Sequence, residues 1–306
     1  MKSNIIQKIN SKYTLDLLLN YVSVFLLGVS GLSLNLLIAK FYTPEVLGAF
    51  NQVLSIYIVF SMIASGGINY SLLRSIAANS KNIKQLKSII KGGIILSFLT
   101  GLVALIICYL LISPISNLLN SNSVAIGMRC ILPGIFFFSL NKVLLYGIIN
   151  GMQRMKSFAV YQSLRYLFIL LSLLIVIFKS IDGDYLPLIF TTSEIALFLL
   201  IIIDISSHLN WWNSNTWFKW SKTHFIYGYK SFFSGLLLEL NTKIDILILG
   251  FFVDDKYVGI YSFAAFFAEG FIQLLIVFQT IYNPTFAKLL SSYKIISLIS
   301  LIKKVK

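Results

Sequence analysis

Eight apolar stretches, each about as long as a bilayer-spanning helix, occupy most of this 306-residue chain. The hydrocarbon core of a membrane is about 30 Å thick and an α-helix rises about 1.5 Å per residue, so about 20 apolar residues cross it. With 58% hydrophobic and 12% charged residues, the chain has too little polar surface to coat a soluble domain of its size. The sequence therefore predicts an all-α polytopic transmembrane helix bundle with these spans: Leu15–Ala39, Val46–Gly66, Ile89–Ile112, Val124–Ile148, Phe158–Phe178, Leu186–Ile205, Phe232–Val253 and Val258–Tyr282.

Lysine and arginine residues lie almost entirely in every second loop between these spans. The loops of the other set carry only Lys40, Lys179 and Lys256, beside several acidic residues. By the positive-inside rule, the basic loops and both termini are cytoplasmic. The net charge of +14 is therefore mostly a topology signal, and its dispersal over several loops without a recognition motif predicts no nucleic-acid partner. The basic residues of the cytoplasmic set are Lys2, Lys8, Lys12, Arg74, Lys81, Lys84, Lys87, Lys91, Arg154, Lys156, Lys219, Lys222, Lys230, Lys288, Lys294, Lys303, Lys304 and Lys306.

The sequence contains no recognisable enzyme motif. Its two histidines, His208 and His224, have no Cys, Asp or Glu neighbour at the spacing of a metal site or a catalytic triad. A phosphate-binding glycine loop is also absent from the sequence, so hydrolysis of ATP is not expected. We therefore predict a protein that is not an enzyme and that uses neither a metal nor a cofactor.

Two predicted outer hairpins, after the first and the seventh span, have similar sequences. VLGAF at residues 46–50 matches YVGIY at residues 257–261, and an acidic residue precedes each stretch. The offset from Gly48 to Gly259 is 211 residues and contains six predicted helices, an even number that preserves orientation. A parallel duplication of a six-helix unit predicts this arrangement, which is typical of secondary transporters whose substrate lies between the halves. Two similar tight hairpins arising by chance are the alternative.

Several motifs of the chain resemble the Wzx-type polysaccharide flippases, which belong with the MATE drug exporters to the MOP exporter superfamily. The resemblance covers most of the chain, and its motifs are loose and largely structural. They are AKFYTPEVLGAF at residues 39–50, SGGIN at 65–69, RSIA at 74–77, DILILG at 245–250, VGIY at 258–261 and Asn283-Pro284.

The resemblance implies a flippase that moves undecaprenyl-diphosphate-linked oligosaccharide units across the bacterial inner membrane by alternating access, in the synthesis of O-antigen, lipopolysaccharide, capsule or exopolysaccharide. It also implies glycan polymerase and chain-length proteins as partners. Wzx-type proteins generally have twelve or more helices, so we expect a C-terminally truncated chain, with residues 1–210 as the first six-helix lobe and residues 211–306 as a partial second lobe. A MATE-like ion-coupled exporter of small cationic compounds and an inactive truncated flippase are the alternatives.

Ionisable residues inside the predicted spans are candidates for a binding site, because each costs at least about 2.5 kcal/mol at the bilayer centre on insertion scales. Lys142 and Arg165 lie roughly 10 Å below the predicted cytoplasmic surface, where a lipid diphosphate would enter. Arginine offers bidentate contacts to phosphate oxygens and lysine offers a point charge. Arg129 is a third candidate and lies nearer the outer edge. For all three residues, snorkelling to the interface is the alternative to substrate binding.

Five further ionisable residues are candidates for ion coupling or for pairing between the lobes. Glu239 and Lys243 are four residues apart on one helical face, in the favourable order for an internal ion pair. Asp245 lies about 200° around the helix from Lys243, so it needs a basic partner in the first lobe or a coupling proton or Na⁺. Glu194 and Glu269 are secondary candidates, since a lone buried carboxyl group is also stable when protonated.

A proline inside the fourth predicted span indicates a flexible point. Pro133-Gly134 should loosen this helix and allow a bend during alternating access. Four polar residues within or beside the spans are candidates for hydrogen bonds to sugar hydroxyls: Asn35, Asn69, Asn141 and Gln162.

Overall fold

A computed structural model of the chain describes Leu26 and residues 28–80, 82–208 and 216–268. This described part is helical and contains no strand, which confirms the predicted all-α class. A π-helical segment, Val143–Ile149, continues α5, and a 3₁₀ turn, Gly183–Tyr185, precedes α7. The helices are α1 (Gly28–Phe41), α2 (Pro44–Ser65), α3 (Ile68–Ala78), α4 (Ile83–Leu118), α5 (Asn122–Lys142), α6 (Met155–Phe178), α7 (Leu188–His208), α8 (Trp217–Gly250) and α9 (residues 255–268).

Five of the predicted spans are confirmed by helical segments that are long and apolar enough to cross a membrane. The first and eighth predicted spans extend beyond the described residues, which contain α1 and α9 from them. Most of the seventh span, up to Gly250, lies in α8, which is 34 residues long but carries Glu239, Lys243 and Asp245 and is therefore more polar. The five confirmed segments are Pro44–Ser65, Ile83–Leu118, Asn122–Ile149, Met155–Phe178 and Gly183–Ser207.

The short helix α3 was not predicted from the sequence. It follows Gly66 and Gly67, whose φ angles of 50° and 68° lie in the left-handed region that glycine tolerates best. With only 11 residues, α3 is too short to cross a membrane and carries no long apolar run. It instead buries one face in a core shared with α4, α7 and the π-helical segment. The central residues of this core include Ile68, Leu72, Ile76, Ile89, Ile90, Leu144, Ile148, Leu197 and Ile201.

The predicted weak point in α5 is occupied by a hydroxyl group from α7. The Thr191 hydroxyl donates to the Cys130 carbonyl oxygen at 2.6 Å and accepts from the Gly134 amide at 3.0 Å. Cys130 and Gly134 are four residues apart, so Thr191 stands between the two groups that a regular helix would bond directly. Insertion of a side chain into the backbone ladder is a known cause of helix bending.

The two hairpins with similar sequences pack directly against each other. A Cβ atom on Gly48 would overlap the carbonyl oxygen of Asp255, and a Cβ atom on Gly259 would overlap the carbonyl oxygen of Pro44. The Asn51 side-chain amide donates to the Ser262 hydroxyl at 2.9 Å, across the same offset of 211 residues. When a two-fold axis relates two elements, the contact of one residue with another is matched by the same contact in reverse, as is seen here. The structure therefore supports the repeat that the sequence indicates.

The chain separates into two compact units, Met1–Ser262 and Phe263–Lys306. All contacts described below lie within the first unit. The predicted lobe boundary between residues 210 and 211 stays a prediction.

Candidate functional site

Helix α8 contacts the turn that follows α2 and, at its own C-terminal end, the middle of α2. Gly228 of α8 lies against the Gly66-Gly67 turn, and Gly250 lies against Gln52. None of the described side chains from residue 231 to residue 245 is buried. Between these two contacts, a narrow cleft lined by Ser65, Asn69, Lys142 and Ser231 lies between α8 and helices α2, α3 and α5.

Contacts of α8 with α3 and α4 lie at the end of this cleft that the sequence predicts to be cytoplasmic. The Ser71 hydroxyl lies 2.8 Å from Nδ1 of His224, and Nε2 of the same ring lies 3.2 Å from the Ile89 carbonyl oxygen. Because a carbonyl oxygen only accepts, Nε2 carries the proton and Ser71 donates to Nδ1. His224 precedes the predicted seventh span, and burial lowers its pKa to about 4. Arg74 adds a cation–π contact, 5.3 Å from the centre of the Tyr227 ring.

Lys142 lies in the wall of the cleft, next to the turn between α2 and α3. Its ammonium nitrogen is 2.7 Å from the sulfur of Met62 and 5.5 Å from the centre of the Phe138 ring. The amide oxygen of the buried Asn69 has no hydrogen-bond partner within the part of the chain that the structure describes. The polar residues that line this part of the cleft are Ser65, Asn69, Tyr70, Lys142 and Ser231.

A buried ion pair between α6 and α7 lies beside Lys142. Nη2 of Arg165 donates to Oε2 of Glu194 at 3.1 Å. Nε of Arg165 is 3.0 Å from Oε1, although it is not aligned to donate a hydrogen bond. Arg165 is 6% exposed and Glu194 is 2% exposed, so both charges are removed from solvent.

Helices α2 and α5 complete the surroundings of the ion pair. The Asn141 amide donates to Oε2 of Glu194 at 2.7 Å and to its backbone carbonyl at 2.8 Å, and the Tyr57 hydroxyl lies 3.4 Å from Oε1. The Arg165 guanidinium stacks 5.0 Å from the centre of the Phe138 ring, the same ring that Lys142 approaches. Four helices thus hold one carboxylate and two cations together. The three charges sum to +1.

The structure brings together three of the residues predicted from the sequence, Lys142, Arg165 and Glu194. Arg129 lies apart from them, exposed on α5, where it lines a separate pocket with Tyr185. Whether these residues bind substrate or couple transport to an ion stays a prediction.

Asp245 and Lys243, the described candidates of α8, lie outside this group. Asp245 is exposed and accepts a hydrogen bond from the Tyr261 hydroxyl at 2.7 Å, and its predicted basic partner or coupling ion stays a prediction. Lys243 is half-buried. The Glu239 side chain and the whole of Glu269 lie outside the described residues, so the predicted Glu239–Lys243 pair stays a prediction.

Sequence reasoning missed the aromatic groups that surround the ion pair, and it named Asn141 only as a candidate for sugar binding and not as a partner of Glu194. Phe138, Asn141 and Lys142 have i, i+3 and i+4 spacing, so they share one face of α5. This spacing was a usable signal for a single polar site on α5. Tyr57 had no comparable signal, because its position depends on how α2 packs against α7.

The fold and the site together define a polytopic helical membrane protein with ionisable groups buried inside its bundle, the arrangement that marks pathways through membrane proteins. The chain belongs to the family described as polysaccharide biosynthesis protein, whose model matches residues 18–290. No curated protein and no solved structure matches the chain.

Proposed function

We propose that this protein is a Wzx-like flippase that moves undecaprenyl-diphosphate-linked oligosaccharide units across the bacterial inner membrane. Membership of the polysaccharide biosynthesis protein family supports a saccharide substrate linked to a membrane lipid. The single structural observation that carries the proposal is the cleft between α2 and α8, with Lys142 in its wall. A glycan polymerase and chain-length proteins would act on the saccharide after its transfer, in O-antigen, capsule or exopolysaccharide synthesis.

Lys142 is the residue that we assign to the diphosphate. Its ammonium group supplies a point charge at a wall that also offers hydroxyl and amide groups. The unpartnered amide oxygen of Asn69 would accept a hydrogen bond from a sugar hydroxyl. The lipid tail would stay in the bilayer while the cleft opens alternately to the two sides.

Arg165 and Glu194 would form a switch beside this contact. Glu194 holds the guanidinium, so Arg165 reaches a phosphate only when the carboxylate is neutralised. A proton on Glu194 would release Arg165 to the diphosphate, and its loss would draw Arg165 back. This scheme couples transfer to a proton.

The remaining candidates have secondary roles in this proposal. Asp245 would bind a coupling ion in competition with the Tyr261 hydroxyl. Lys243, Glu239 and Glu269 would pair between the lobes, residues 1–210 and 211–306. Arg129 would contact phosphate oxygens at the outer edge of the bundle.

Complementation of a bacterial strain that lacks its own flippase tests the proposal. We expect the wild-type chain to restore surface glycan and Lys142→Gln to reduce it at equal protein level. Lys179→Gln removes the same charge from the exposed outer end of α6 and should leave the glycan unchanged. Failure of the wild-type chain to restore glycan, or equal activity of Lys142→Gln, would count against the proposal.

A further inference from the structure

The N-terminal half of α8 has two contrasting faces. One face packs on α3 and α4 through His224 and Gly228, as described above. The exposed side of the segment carries large aromatic side chains that are at least half exposed and recur at helical spacing. They are Phe218, Phe225, Tyr229 and Phe233.

Three exposed lysines accompany these aromatic residues. Lys219, Lys222 and Lys230 all lie on the exposed side of the helix. The sequence contains no aspartate or glutamate from residue 217 to residue 238, so the segment carries three positive charges and no negative one. Its charge is complementary to an anionic surface.

The length of α8 places this segment at the membrane surface. A helix of 34 residues is about 51 Å long, about 20 Å more than the hydrocarbon core. Trp217 and Ser221 pack on Gly92, near the predicted cytoplasmic end of the third span, so the N-terminal end of α8 lies at the cytoplasmic interface. Aromatic residues beside lysines on one exposed helical face are typical of segments that bind the lipid headgroup region. Anionic lipids of the cytoplasmic leaflet attract such basic segments next to a span.

We propose that this exposed face of α8 binds anionic phospholipid headgroups of the cytoplasmic leaflet. The headgroup face consists of Phe218, Lys219, Lys222, Phe225, Tyr229 and Lys230. The lysines bind the phosphate groups, and the aromatic rings lie among the glycerol and upper acyl regions. Because the opposite face of the same segment closes the cytoplasmic end of the cleft, bound headgroups hold that end of α8 in place. This inference does not depend on what the protein transports.

The tryptophans of the chain provide a direct probe of this binding. All four, at positions 211, 212, 217 and 220, lie in or beside the segment. Bromine atoms on lipid tails quench tryptophan fluorescence at short range. The full chain is placed in nanodiscs of one phosphatidylglycerol–phosphatidylcholine mixture, with bromine on the tails of either the anionic or the zwitterionic lipid. We expect stronger quenching by brominated phosphatidylglycerol than by brominated phosphatidylcholine. Each lysine contributes up to about 1 kcal/mol of attraction, which corresponds to about fivefold enrichment of anionic lipid beside the segment at low salt. The enrichment should be smaller at high salt, because salt screens the charges.

A charge-matched pair of variants locates the effect. The inner triple variant K219Q/K222Q/K230Q should equalise quenching by the two brominated lipids. The outer triple variant K40Q/K179Q/K256Q removes the same charge from the opposite side and should keep the preference for phosphatidylglycerol. Equal quenching by the two lipids in the wild-type chain would overturn the proposal, as would a preference that survives in the inner triple variant. Neither result depends on the complementation experiment, so the two proposals fail separately.

Discussion

Replacement of Glu194 by glutamine is the most informative perturbation of the buried ion pair. Glutamine has nearly the same shape, so the change leaves no cavity and keeps an oxygen that accepts from Asn141. It removes the negative charge that faces Arg165, which is only 6% exposed. The variant therefore leaves a guanidinium buried without its counter-ion.

The expected loss of unfolding free energy follows from the burial of Arg165. Removal of one partner of a buried ion pair costs about 3–5 kcal/mol, because the remaining charge stays desolvated. Arg165→Met should cost less, since Glu194 keeps its hydrogen bonds from Asn141 and Tyr57. The loss of unfolding free energy in the double variant should be smaller than the sum of the losses in the two single variants, by a coupling energy of about 2 kcal/mol.

Equilibrium unfolding in mixed detergent micelles measures these free energies for the four proteins of the cycle. The second ion pair between α6 and α7, Arg154–Asp204, is a matched control because its side chains are 27% and 15% exposed at a separation of 3.0 Å. Asp204→Asn should cost about 1 kcal/mol or less, as expected for a pair near the surface. Additive effects of Glu194→Gln and Arg165→Met, or a Glu194→Gln cost no larger than that of Asp204→Asn, would refute the reasoning.

Three further predictions concern α5, the hairpin contact and the cytoplasmic end of α8. Thr191→Val should reduce the free energy of unfolding by about 1–3 kcal/mol, because the buried Gly134 amide and Cys130 carbonyl lose their hydrogen-bond partner. Thr191→Ser keeps the hydroxyl group and should retain most of that free energy. Gly48→Ala and Gly259→Ala should each lower thermal stability markedly, since the added methyl group overlaps backbone atoms of the other hairpin. Gly28→Ala is the control and should leave thermal stability unchanged, because no atom lies within 4 Å of the added methyl group. His224 has a folded-state pKa of about 4, below its usual value near 6.5, so its contribution to stability should be lost as pH falls from about 6.5 to about 4, by up to about 3 kcal/mol. A pH series of thermal unfolding checks this, and His224→Phe should flatten the dependence in that window.

The helices that could be predicted were those whose signal lies in consecutive residues. Five apolar spans were found because apolarity over about 20 residues is sufficient to identify them. The similarity of the two hairpins was also visible in sequence, and the contact of Gly48 with Gly259 joins residues that the alignment of the hairpins had paired. The resemblance to polysaccharide flippases agrees with the family that the chain belongs to.

The ion pair itself could not be predicted, because it depends on how two helices are rotated about their axes. Arg165 and Glu194 are 29 residues apart and were each considered alone. Helix α3 was missed because its 11 residues gain stability from the surrounding core rather than from an apolar run of their own. The π-helical segment after Lys142 likewise has no signature in the local sequence.

Transfer of a lipid-linked saccharide through the Lys142 cleft is the central claim. The direct measurement uses the purified chain in vesicles that carry undecaprenyl-diphosphate-linked oligosaccharide and follows the amount of sugar that reaches the opposite leaflet. We predict transfer by the wild-type chain, a loss of at least about tenfold for Lys142→Gln, which corresponds to about 1.4 kcal/mol of binding, and normal transfer for Lys179→Gln. Transfer by Lys142→Gln at the wild-type rate, or no transfer by the wild-type chain, would contradict the account.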